Sequence, residues 1–209
     1  EASRNRQDRR LGRQSATADG IERALGAAPE LFPARAFVAC QGVEGAYQQM
    51  AADRIFRHAN LAYFDTFDAV FRAVEEGFCR YGVLPIENST AGSVNQVFDL
   101  MMRHNFHIVR TCRLKIDHNL LAKPGTGLEG IHHVYSHEQA INQCGEFISS
   151  LRGVQIHACE NTAMASRMVA ESERSDVAAL ASRTCAELYG LDVLARSVQD
   201  QGNNYTRFA

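Results

Sequence analysis

From residue 36 onward, short β-prone apolar runs take turns with longer stretches whose apolar residues recur at helical spacing. This alternation is the feature that most narrows what the chain can fold into, because a segment patterned for one period does not settle in the other. The runs predict strands over 36–40, 61–64, 81–84, 107–116, 131–135, 154–159 and 176–180. The stretches between them predict helices over 46–58, 67–76, 93–104, 138–150, 162–170 and 182–189, the last stopped by Gly190, a good left-handed cap. Alternating strands and helices imply an α/β fold with a mainly parallel sheet. A chain of 209 residues is long enough for one large domain or two small lobes. Residues 1–35 lack this texture and read as a linker, with one short helical pattern over 19–27 that stops near Pro29 and Pro33.

Charge and cysteine usage exclude several classes. The formal net charge is −2, so the chain as a whole does not read as a nucleic-acid binder. Arg4, Arg6, Arg9, Arg10 and Arg13 face only Glu1 and Asp8 within the first thirteen residues, the composition of a solvated leader. No apolar run is long enough to span a membrane, and no secretory pattern opens the chain. The six cysteines, Cys40, Cys79, Cys112, Cys144, Cys159 and Cys185, are widely spaced and form no C-x-x-C. That usage predicts buried free thiols and a cytoplasmic protein. The nearest His pairs, His104/His107 and His133/His137, lack a clustered third ligand, so no metal is expected.

The strand-to-helix junctions carry the functional signal. Gln41–Tyr47, Pro85–Ser93, Ser136–Gln139 and Glu160–Ala163 each place Ser, Thr, Asn or Gly where a helix should begin. Such residues cap helices. In open α/β sheets, however, ligands bind beyond the carboxyl ends of strands, and several helix N-termini meeting in one cleft suit a small polyanion. The segment 85–93 carries one carboxylate, one amide and three hydroxyls, more than capping needs. The tail 200–208, with two Asn, Thr206 and Arg207 between apolar anchors, is the second unusual place.

Gly42-x-x-Gly45-Ala46-Tyr47, Leu84-Pro85-Ile86-Glu87-Asn88-Ser89-Thr90-Ala91-Gly92-Ser93-Val94, Ser136-His137-x-Gln139-Ala140, Asn161-Thr162-Ala163 and Asn204-x-Thr206-Arg207-Phe208 together resemble the prephenate dehydratase family, in that family's order. The Pro-Ile-Glu-Asn-Ser block with a terminal Thr-Arg-Phe is highly specific. The resemblance implies a two-lobed α/β fold like that of type II periplasmic binding proteins, with the active-site cleft between the lobes. Lobe one is expected at about 36–112 plus 190–209, and lobe two at about 113–189. The implied activity is a lyase that turns prephenate into phenylpyruvate, carbon dioxide and water on the route to phenylalanine, with no cofactor. The family is commonly dimeric or higher, so a homo-oligomer is expected.

The resemblance assigns catalysis to Thr206, which assists departure of the ring hydroxyl. Asn88 is counted with it, and Glu87 is either a proton source, if burial raises its pKa, or a structural acceptor. Ser89, Thr90, Ser136, Gln139, Asn161, Thr162, Arg207 and Phe208 are the implied substrate-binding residues. Arg207 and the helix N-termini would supply orienting charge. Ala46 stands where the family often has Ser, and Glu138 where it often has Pro. Family members usually continue into a phenylalanine-binding regulatory domain, and many bacterial ones begin with chorismate mutase, so the sequence reads as the dehydratase piece of a longer, bifunctional enzyme. Two other readings stay open: an arogenate dehydratase using the same chemistry on the amino analogue, and a non-catalytic two-lobed sensor of small molecules.

Overall fold

Apolar runs become strands in this chain wherever partners cover both faces. The structure is a computed structural model that describes residues 32–104 and 106–209; the linker helix expected over 19–27 lies outside the described residues. Residues 35–209 form one unit in which three sheets are distributed between two lobes.

The first lobe begins with β1 (Arg35–Gln41), α1 (Tyr47–Ile55), β2 (His58–Phe64), α2 (Phe67–Glu75) and β3 (Tyr81–Val83). The three strands form a parallel sheet in the order β2-β1-β3. Next come β4 (Pro85–Asn88), β5 (Gly92–Ser93), α3 (Asn95–His104) and β6 (Cys112–Lys115). The last strand of the chain, β12 (Tyr205–Phe208), inserts between β4 and β6 to complete an antiparallel sheet, β5-β4-β12-β6. Ala39, Val70, Phe71, Leu84, Ile86, Val97 and Leu100 form the core of this lobe.

The second lobe contains β7 (Asn119–Ala122), β8 (His133–His137), α4 (Glu138–Gln143), α5 (Gly145–Ser150), β9 (Gln155–Cys159), α6 (Thr162–Glu171), β10 (Val177–Ala181), α7 (Arg183–Tyr189) and β11 (Asp192–Ala195). Its sheet runs β11-β7-β10-β8-β9. All five residues of the central strand β10, Val-Ala-Ala-Leu-Ala, are buried, as a strand covered on both faces requires. Helices α6 and α7 pack on one face with Leu121, Ala179 and Ala181, and the other face buries Leu120, Ala178, Leu180 and Cys144. Caps set the helix starts: Thr66, Asn161 and Ser182 accept backbone N–H groups from Ala69, Met164 and Cys185. Gly190, at φ 65°, ends α7 in the left-handed conformation.

Several expectations need correction. The sheets are not mainly parallel: five of nine strand pairings among the described residues are antiparallel, because β7, β11 and β12 return against their neighbours rather than continue the βαβ pattern. The helix expected over 138–150 breaks at Cys144. There the Asp200 carboxylate accepts the N–H groups of Gly145 and Glu146 and starts a second helix. The 107–116 strand shrinks to Cys112–Lys115. The lobe limits shift as well. Strand β6 belongs to the first lobe through β12, and β11 belongs to the second through β7. The chain therefore crosses near Ile116–Asp117 and again before Asn204. These two crossings lie side by side, with Ile116 N–H donating to Asn204 C=O at 2.8 Å and Val198 N–H to His118 C=O at 2.8 Å.

Candidate active site

A cavity of about 330 Å³ lies where the lobes face each other, within the size range of small-ligand sites. Three helices begin at its wall: α1 with Tyr47 and Gln48, α4 with Gln139 and Ala140, and α6 with Thr162 and its cap Asn161. The starts of α1 and α6, helices of 9 and 10 residues, each carry up to about half a positive elementary charge, and the 6-residue α4 carries less. Ala46 offers α1 no side-chain cap. No Arg or Lys lines the cavity, and its one lining carboxylate, Glu160, belongs to an exposed residue. The field at the site therefore comes from backbone dipoles.

The floor is built from β4 and β12. The register sets Thr206 opposite Asn88, and Arg207 opposite Glu87. Because side chains alternate across a strand, Thr206 and Asn88 turn inward at 8% and 6% exposure, while Glu87 and Arg207 turn outward. This is the physical reason two expected roles fail to materialise at the cavity. Glu87 and Arg207 are both exposed and sit 3.8 Å apart as a surface ion pair, the kind of contact worth little. The burial that would make Glu87 a proton source is missing, and Arg207 does not reach the ligand space. Phe208 is on the inward face, 2% exposed, and lines the cavity.

The other expected residues divide. Gln139, Asn161 and Thr162 line the cavity. Ser136 does not: it is fully buried and donates to the Leu180 carbonyl at 2.7 Å, tying β8 to β10. Ser89 donates to Asn203 C=O at 2.9 Å and accepts the Tyr205 N–H at 2.8 Å, fastening the loop after β4 to the tail. Thr90 works through its neighbours. Its hydroxyl donates to Asn88 Oδ1 at 2.6 Å, and the backbone N–H groups of Thr90 and Ala91 donate to the same oxygen, each at 3.0 Å.

Those two backbone donors settle the orientation of the Asn88 amide, since Oδ1 must face them. Its Nδ2 therefore donates to Asn204 Oδ1 at 2.8 Å and to Thr206 Oγ1 at 2.9 Å. Thr206 Oγ1 accepts that bond, which leaves the hydroxyl's own proton to be given elsewhere. Asn204, 1% exposed, passes the direction on. Its Nδ2 donates to Gln143 Oε1 at 2.8 Å, and Gln143 Nε2 donates to Thr90 Oγ1 at 2.8 Å. Asn88, Asn204, Gln143 and Thr90 thus close a ring of hydrogen bonds running in one sense.

His118, missed at the level of sequence, lines the cavity at 3% exposure. The Gln143 amide oxygen is an acceptor, so His118 Nε2, 3.1 Å away, carries the proton, and Nδ1 is left buried without a partner. Burial lowers the His118 pKa, partly opposed by the Gln143 bond and by Asp117, and burial lowers that of His137. Both imidazoles are neutral near pH 7. Tyr47 holds the crossing, donating to Asp117 C=O at 3.1 Å and accepting the Asp117 N–H at 3.3 Å. Gln143 and His118 carried no signal in the sequence, since each acquires its place only through residues far away in the chain. Among the described residues no group of three or more His, Cys, Asp or Glu side chains is placed to hold a metal ion, and no helix is long and apolar enough to cross a membrane.

The profile of the prephenate dehydratase family matches residues 38–209. The chain is 42% identical over 171 residues, 82% of its length, to arogenate dehydratase/prephenate dehydratase 1, chloroplastic, of Arabidopsis thaliana, and spans 43% of that protein. A solved structure described as GqqA, a novel type of quorum quenching acylase, shares 33% identity at a TM-score of 0.73, over 82% of this chain and 62% of that one. The prephenate dehydratase of Arthrobacter aurescens in complex with L-Phe superposes at a TM-score of 0.76 with 24% identity, over 82% of this chain and 58% of that one, and shares the fold. The chain thus spans less than half the length of that plant relative.

Proposed function

We propose that this chain, which belongs to the prephenate dehydratase family, catalyses the decarboxylating dehydration of prephenate to phenylpyruvate in phenylalanine biosynthesis. Prephenate carries a ring carboxylate and a ring hydroxyl at opposite ends of a cyclohexadiene. The bond to the carboxylate breaks and releases carbon dioxide. Its electron pair forms a new ring double bond, one of the two existing ring double bonds shifts toward the hydroxyl-bearing carbon, and the carbon–oxygen bond to the hydroxyl breaks. One added proton makes water, and the ring becomes aromatic. The protein's tasks are to hold a dianion, leave the departing carboxylate unpaired, and meet the developing negative charge on the leaving oxygen.

The observation that carries this reading is the direction of the hydrogen bond at Thr206. Asn88, turned by the backbone N–H groups of Thr90 and Ala91, donates to Thr206 Oγ1, so the Thr206 hydroxyl is a committed donor at the cavity floor. A threonine hydroxyl is a weak acid. It stabilises the leaving oxygen through a hydrogen bond that strengthens as the charge grows. The N-termini of α1, α4 and α6 supply the field that orients the side-chain carboxylate, with Gln139, Asn161 and Thr162 as hydrogen-bonding partners. Neutral His118 and His137 add no charge.

The six cysteines are free thiols, which supports a reducing compartment such as the cytoplasm. Exposed Phe37 and Phe78, edge to face at 5.5 Å, support a homo-oligomer, and sedimentation equilibrium tests it. Incubation with prephenate, followed by absorbance of phenylpyruvate in alkali, tests the function, and the same protein with arogenate, read as phenylalanine formed, fixes the substrate. Turnover of prephenate is expected. Turnover of arogenate alone would move the assignment to the amino substrate, and turnover of neither would overturn it.

A further inference from the structure

Gln143 ends α4 in the second lobe, yet its amide is bonded to the first. Oε1 accepts from Asn204 Nδ2 and Nε2 donates to Thr90 Oγ1, each at 2.8 Å. Asn204 precedes β12 and Thr90 follows β4, so both bonds reach the strands that carry Thr206 and Asn88. The break at Cys144, fixed by Asp200 on Gly145 and Glu146, ends α4 at this residue. Asp200 N–H also donates to the Gln143 carbonyl at 2.8 Å, so backbone and side chain are both held. His118 Nε2 donates to Oε1 as well, and the donor direction around the ring Asn88–Asn204–Gln143–Thr90 leaves the Gln143 amide only one orientation. Three committed bonds on one amide exceed what a helix C-terminus needs.

We propose that Gln143 is a positioning residue that ties the second lobe to the Asn88–Thr206 pair and so places Gln139 and Thr162 over the Thr206 hydroxyl. The proposal rests on the catalytic reading of this cavity. Gln143 acts through Asn204 and Thr90 rather than on the reacting atoms. Each neutral hydrogen bond favours the tied arrangement by no more than about tenfold, which holds the lobes together while still permitting them to part for substrate. Misplacing groups by about 1 Å across a cleft of this kind costs up to about a hundredfold in rate.

The test uses the parent chain and Gln143→Met, Gln143→Glu and Thr90→Val, read by steady-state kinetics with prephenate, small-angle scattering of the free proteins and circular dichroism. Gln143→Met keeps the length and loses all three bonds. It is expected to lower kcat about tenfold to a hundredfold with KM within about threefold, and to expand the free protein. Gln143→Glu keeps two acceptor positions, and the Thr90 hydroxyl turns to donate to the second oxygen, so the free protein stays as compact as the parent. Thr90→Val removes one of the two bonds of the tie from the other lobe, at an exposed position, and expands the protein less than Gln143→Met does, and adding it to Gln143→Met expands it no further. A Gln143→Met protein with the parent's kcat or dimensions overturns the proposal, as does a Gln143→Glu protein as expanded as Gln143→Met. A parent inactive on both prephenate and arogenate defeats the function assigned above, while the scattering comparison still decides the tie.

Discussion

Replacing Thr206 by Val removes one hydroxyl and keeps the shape of the side chain. The structural consequence is small. Asn88 Nδ2 loses its 2.9 Å acceptor but retains Asn204 Oδ1 at 2.8 Å and the Tyr205 carbonyl at 3.3 Å. Its Oδ1 keeps all three donors. The loss to folding is one neutral hydrogen bond, about 1 kcal/mol, which lowers Tm by about 2–4 °C in a chain of this size. The chemical consequence is large, because the leaving oxygen loses its one committed donor. A positioned proton-transfer group contributes about two to four orders of magnitude, equivalent to about 3–5 kcal/mol on the barrier. The expected signature is therefore a kcat loss several times larger, in free energy, than the loss of stability. Thr206→Ser restores the donor and should recover most of the rate. Stopped assays of phenylpyruvate give kcat, and thermal unfolding gives Tm. A Thr206→Val protein that turns over within tenfold of the parent would refute the donor role.

Three further outcomes follow from the same geometry. Glu87→Gln should change kcat less than about threefold and Tm by a degree or less, since it breaks only an exposed ion pair; a hundredfold loss would return Glu87 to the chemistry. Gln139→Ala should weaken binding of a non-reactive dicarboxylate analogue about tenfold by calorimetry, the loss of one hydrogen bond in a desolvated cleft, and unchanged affinity would remove Gln139 from the site. Stability should fall as pH drops from about 6.5 through the lowered folded-state values of His118 and His137, because the unfolded chain takes up these protons first, with a slope up to about 1.4 kcal/mol per pH unit from His118. Urea unfolding from pH 7.5 to 5 reads this, and His118→Gln should flatten the slope; an unchanged slope would contradict neutral burial.

Strands whose partners are apolar on both faces were legible from residue patterns, as 36–40 and 176–180 illustrate, because burial selects β-branched and small apolar residues locally. Strand β4 was not. Pro85-Ile86-Glu87-Asn88 is short and polar, and it becomes a strand only because β12, over a hundred residues away, pairs with it. The same long-range pairing explains the site. Motifs place Thr206, Asn88, Gln139, Asn161 and Thr162 at the cavity. A motif read as consecutive letters carries no information on which face each letter takes, so Glu87 and Arg207 were expected inside although strand alternation turns them out. Ser136 looked functional because buried and catalytic hydroxyls share a residue type, and only the Leu180 carbonyl at 2.7 Å separates the two. Gln143 and His118 depend on the break in the 138–150 helix, which Asp200 imposes from another part of the chain.

The most direct measurement follows prephenate labelled with carbon-13 in its ring carboxylate by NMR in the presence of the 209-residue chain. The account predicts labelled carbon dioxide and unlabelled phenylpyruvate appearing in equal amounts, faster than the spontaneous reaction, with the acceleration largely lost in Thr206→Val. Label retained in the substrate at the spontaneous rate, or equal acceleration by parent and Thr206→Val, would contradict it.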